Sequence, residues 1–110
     1  MDKEIENRIE MEIIVDAYNP EEAAMGWYYY LEKNIDFPFQ AMTAKGKSER
    51  TIIGMADSTD CLEGMYVLVN FNDEDELLFS LEDILPIKVN QQSQQAISDW
   101  KYWLNMGYNF

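Results

Sequence analysis

Two prolines confine what this chain can become. Asn19-Pro20-Glu21-Glu22 is a strong helix start: an asparagine side chain caps free N–H groups, proline fits the first helical position, and two carboxylates face the positive end of the helix dipole. The helix is predicted to run to about Asn34. Its Ala24, Tyr28, Leu31 and Ile35 keep helical spacing, and Ala23, Trp27 and Tyr30 form an adjacent stripe, so a wide apolar arc is buried. Gly26 interrupts that helix at a cost of about 1 kcal/mol against alanine, which points to close packing of another segment there. Pro38 then drives Phe37 out of the helical region and turns the chain to extended structure.

On the N-terminal side, Ile5, Ile9 and Ile13 recur every four positions and predict a helix from Lys3 to Ala17, although the branched run Ile13-Ile14-Val15 suits a helix poorly. Beyond Pro38, the segments Phe39 to Lys45, Arg50 to Met55, Met65 to Phe71 and Glu76 to Phe79 are short, rich in β-branched or aromatic residues, and separated by polar turns. They predict a small, strongly bent antiparallel sheet or partial barrel, closed by a tight helical turn over Ser80 to Pro86. A last helix follows Asn90, with Ile97, Trp100 and Leu104 on one face and Gly107 as its stop. The expected fold is α+β, with helices at both ends packed on the sheet. At 110 residues, one domain spanning 1–110 is expected, because two separate cores would each bury too little surface.

The chain carries 21 acidic and 8 basic side chains, a formal net charge of −13. Such a field repels phosphate backbones and anionic headgroups, so neither a nucleic acid nor a membrane is expected as partner. It attracts cations and basic proteins. The excess is local: residues 1–36 and 37–87 each hold ten acids and three bases, whereas 88–110 hold one acid and two bases. No apolar run reaches the roughly 18 residues of a membrane span, and Met1-Asp2-Lys3-Glu4 lacks the basic-then-apolar order of a signal peptide. A cytoplasmic location is expected.

With no histidine and a single cysteine, a Cys/His zinc site and a histidine-based nucleophile are excluded within the chain. Cys61 lies beside Asp60 and near Glu63, which disfavour its thiolate. No acid/base pair or cofactor motif stands out, so no enzymatic activity is expected. What remains is carboxylate and carbonyl oxygen, the ligand set of calcium and, less often, magnesium.

Oxygen donors gather at three places. The loop Asp57 to Glu63 carries Asp57, Asp60 and Glu63 at a spacing of three; Asp73-Glu74-Asp75-Glu76 is a run of four acids, with Asp73 and Asp75 on one side of an extended chain; and Glu32 with Asp36 marks the C-terminal end of the second helix, where free carbonyls and the negative dipole end favour a cation. No window satisfies the EF-hand pattern, since a loop starting at Asp73 places Leu78 at position 6 and Ile84 at position 12. For each cluster the plain alternative is a solvated acidic surface. Trp27-Tyr28-Tyr29-Tyr30, at helical spacing, reads as core packing rather than a stacking platform.

Several strings are distinctive: Glu12-Ile13-Ile14-Val15-Asp16-Ala17-Tyr18, Met25-Gly26-Trp27-Tyr28-Tyr29-Tyr30-Leu31-Glu32, Phe37-Pro38-Phe39, Gly54-Met55-Ala56, Asp60-Cys61, Met65-Tyr66-Val67 and Asp99-Trp100-Lys101-Tyr102-Trp103, with Gly107-Tyr108 near the end. Through them the chain resembles the cyanobacterial calcium-binding protein family, CcbP-like, from about residue 12 onward. The resemblance implies an acidic cytoplasmic protein that binds Ca2+ without an EF-hand and buffers it, with helices packed around a small SH3-like β unit. It also implies that Glu32, Asp36, Asp60 and Glu63 fall in the family's acidic segments. Lys33 stands where an acid is common in that family, and Lys101 where a histidine is common.

Two functions therefore compete. One is calcium sequestration by surface carboxylates. The other is an acidic interaction module, without a metal role, that docks a basic protein or mimics nucleic acid.

Overall fold

A computed structural model describes residues 2–43, 49–71, 75–108 and 110, with the side chains of Phe71 and Asp75 outside that description. The chain opens with α1 (Lys3–Arg8), capped by Asp2, whose carboxylate accepts from the N–H groups of Glu4 and Ile5. The single helix expected to Ala17 does not form. From Ile9 to Ile13 the backbone widens into a π-helical turn, with Ile14 N–H donating to Ile9 O at 2.9 Å. It then breaks at Ile14, and Asp16 adopts a left-handed φ of 61°. The wider turn keeps both Ile9 and Ile13 buried. The branched run that follows, stiff at χ1, gains nothing from continuing as a helix.

Helix α2 (Pro20–Asn34) starts at the expected cap: Asn19 Oδ1 accepts from Glu22 N–H at 2.8 Å with Pro20 in the first turn. Ala24, Trp27 and Leu31 are fully buried. At Gly26 the helix meets the π turn so closely that a Cβ would collide with the Ile13 carbonyl. This is the close approach its position predicts.

Five antiparallel strands follow, β1 (Phe39–Thr43), β2 (Glu49–Met55), β3 (Tyr66–Phe71), β4 (Asp75–Ser80) and β5 (Ile84–Lys88), in the sheet order β4-β3-β2-β1-β5. The expected continuation of β1 to Lys45 falls partly on 44–48, and the turn before Asp75 on 72–74, outside the described residues. The turn expected over Ser80 to Pro86 is shorter: a 3₁₀ turn covers Leu81–Asp83, and Ile84 to Pro86 belong to β5. Proline obscures a strand in sequence, but β5 is an edge strand, a position that tolerates proline. Bulges between Gln40 and Ala41 and between Ile52 and Gly54 bend the sheet. In this order β5 returns beside β1 after the 3₁₀ turn.

Phe39, Ala41, Ile52, Val67 and Val69 point from the sheet into the core, at alternating positions along their strands. Helix α3 (Gln91–Asn105), capped by Asn90, adds Ala96, Ile97, Trp100 and Trp103 to the same core. Trp27 and Trp100 meet edge to face, with ring centroids 5.2 Å apart and planes at 72°. Beneath them lies a polar anchor: Asp99, fully buried, accepts from Arg8 Nε and Nη2 at 2.7 Å each and from the Tyr30 hydroxyl at 2.7 Å. One carboxylate thus ties α1 and α2 to α3. No helix among the described residues is long and apolar enough to cross a membrane.

Candidate metal centre

Helix α2 packs its C-terminal half against the segment that follows β2. Tyr28 carries the contact: its hydroxyl donates to the Ala56 carbonyl at 2.9 Å. Glu32 lies one turn further along the same helix, beside that hydroxyl, and Asp57 approaches it from the opposing segment. Burial, then the Glu32 carboxylate, then the charges around Cys61 and Asp57 push the Tyr28 hydroxyl up to about 12. The phenol is kept protonated at this junction chiefly by burial, with the neighbouring carboxylates adding to it.

The opposing segment is a 3₁₀ turn, Ser58–Cys61, closed by Asp60 N–H donating to Asp57 O at 2.9 Å. Its last residue is the anchor. Cys61 is fully buried, and its Sγ accepts from Tyr66 N–H at 3.4 Å. Burial raises the thiol's pKa, the Tyr66 N–H opposes that, and Asp60 and Asp57 reinforce it. Cys61 is thus a structural plug and a poor nucleophile. Asp57, which precedes the turn, and Asp60, within it, remain exposed.

The candidate carboxylates therefore separate. Glu32 and Asp57 lie near the Tyr28 hydroxyl, and Asp57 and Asp60 near Cys61. Asp36 is drawn away: its carboxylate accepts from Asn90 Nδ2 at 2.9 Å, while its N–H donates to Ser93 Oγ at 2.8 Å. It is tied to the start of α3. Glu63 lies at the far end of its loop, bordering a small recess shared with Glu82 and Trp100. Asp73 is outside the described residues, and of Asp75 only the backbone, at the start of β4, is described. Among the described residues, no three His, Cys, Asp or Glu side chains converge closely enough to hold a metal ion. The donors at the junction are all hard oxygen, the chemistry calcium prefers.

Helical spacing places Tyr28 in the core; what it does not name is the partner of the hydroxyl, the Ala56 carbonyl 28 positions away. The nearness of Glu32 is legible in the spacing, since Tyr28 and Glu32 are four apart on one helix face. Nothing in the sequence pairs Asp99 with Arg8, 91 positions away.

Fold and junction define a class: an acidic α+β protein that presents carboxylate oxygen beside a helix–loop contact. The chain belongs to the CcbP calcium-binding family, whose sequence model, described as calcium binding, matches residues 7–104. Among solved structures, the crystal structure of Anabaena CcbP is 43% identical, with a TM-score of 0.94, covering 100% of this chain and 96% of that one. A calcium-binding protein in its calcium-binding form is 46% identical, with a TM-score of 0.88, covering 99% of this chain and 95% of that one. Among curated proteins, none matches.

Proposed function

We propose that this protein, as a single domain, binds Ca2+ through the carboxylates at the α2–loop junction and buffers the free ion in the cytoplasm. The observation that carries the reading is membership, over residues 7–104, of a calcium-binding family. Glu32, Asp57 and Asp60 are the ligands we assign, with Glu63 and the Asp73–Asp75 segment as candidates for a second site. Asp36 is assigned a smaller part, because its carboxylate already accepts from Asn90.

The junction offers carboxylates without a closed cage. A calcium ion takes roughly six to eight oxygen ligands, and rigidity and ligand charge set its affinity. With few protein ligands in place, water completes the shell and affinity is modest. Modest affinity suits buffering, where ion must be released as readily as it is taken up. Ion binding also relieves repulsion in a chain of net charge −13. The same field favours a basic protein as a second kind of partner. No catalytic role is proposed, since the one thiol is buried and there is no histidine.

The test is thermal unfolding of metal-stripped protein against calcium. Binding to the folded state stabilises it by RT ln(1 + [Ca]/Kd), so the midpoint climbs with the logarithm of calcium once the site saturates. Equimolar magnesium reproduces only the smaller, screening part of the rise. Equal curves for the two ions would refute a calcium-selective site.

A further inference from the structure

Between the N-terminal helical segment and α3 runs a groove of about 200 Å³ that shares no residue with the metal centre. Ile14, Trp103, Met106 and Tyr108 make it apolar, and Glu6 and Glu10 are its charged lining residues. Met106 and Tyr108 are 39% and 57% exposed, so the apolar wall is open to solvent. We infer that this groove docks a basic peptide segment carrying an apolar anchor, supplied by a partner protein.

Charge complementarity identifies the occupant. Glu6 and Glu10 are one helical turn apart and share one face. The cation between them in sequence, Arg8, is turned away and held by Asp99 in a bidentate pair at 2.7 Å. The groove therefore keeps negative charge beside its apolar wall, with no lining cation to neutralise it. A second copy of this chain would bring a net charge of −13 against a like field, which opposes self-association there. A segment with lysine or arginine flanking leucine-type side chains meets both demands: the anchor covers the Trp103–Met106 wall and the cations pair with Glu6 and Glu10. Two helical walls suit an amphipathic helix laid lengthwise.

The experiment uses the full chain, isotopically labelled and calcium-free, titrated with a short amphipathic Leu/Lys peptide and followed by amide chemical shifts. Controls are a Lys/Ser peptide of equal charge and a Leu/Glu peptide of equal apolarity. The inference expects saturable Leu/Lys binding with shifts centred on Glu10, Ile14, Trp103 and Met106. It expects Glu10→Lys and Met106→Lys each to weaken binding by about tenfold or more. Both side chains are exposed, and an unchanged thermal midpoint confirms that each variant folds. Equal binding of either control peptide, shifts centred elsewhere, affinity untouched by both substitutions, or a dimer dissociated by Met106→Lys in sedimentation equilibrium would each overturn it. None of these outcomes bears on calcium binding at Glu32 and Asp57.

Discussion

Gly26 lies on α2 where the backbone of the π turn passes, and any side chain there meets the Ile13 carbonyl. Helix propensity alone favours alanine at this position by about 1 kcal/mol. Overpacking against a backbone atom that cannot rotate away costs about 1–3 kcal/mol, and the collision is with backbone, so strain wins. Gly26→Ala is expected to lower the urea midpoint without changing the m-value. Tyr28 carries a second consequence. Its folded-state pKa, about 12, lies above the ordinary tyrosine value of about 10, so the fold prefers the protonated phenol. The stability this contributes is fully present below pH 10 and is lost as pH rises through about 12. Tyr30 behaves alike, because burial and then Asp99 raise its pKa too. Tyr28→Phe is therefore expected to make the alkaline loss of stability shallower, read from urea unfolding across that range.

At the scale of elements, local signals were legible where they were complete. Asn19 with Pro20 starts α2, and Asn90 and Gly107 bracket α3, as their capping chemistry predicts. What failed depended on partners distant in sequence. The helix expected to Ala17 ends early because the π turn fits against Gly26, and β5 escaped notice because Pro86 reads as a breaker until β1 stands beside it. At the candidate site, the acidic loop was visible as a run of carboxylates. The diversion of Asp36 to Asn90 was not, since it joins residues 54 positions apart. The Arg8–Asp99–Tyr30 anchor is of the same long-range kind, and it fastens three helices. Replacing the buried carboxylate leaves a guanidinium short of its counter-charge, with Arg8 itself 21% exposed. Asp99→Asn is expected to cost about 3 kcal/mol in urea unfolding. Combining it with Arg8→Met should recover part of that loss, because the unpaired cation is gone.

For the whole molecule, acidic side chains outnumber basic ones 21 to 8. The Arg8–Asp99 ion pair does not touch that excess, because its carboxylate is buried in the core. Glu32, Asp57 and Asp60 remain exposed at the junction fixed by Tyr28 and Cys61. The central claim is that this junction takes up calcium. Isothermal titration of the metal-stripped protein with calcium at about 0.15 M salt, where exposed charges are screened beyond a Debye length of about 8 Å, tests it most directly. The account predicts saturable binding that magnesium does not mimic, lost in the Glu32→Gln, Asp57→Asn double variant and retained in Asp36→Asn. Absence of saturable heat, or full retention of binding in the double variant, would contradict it.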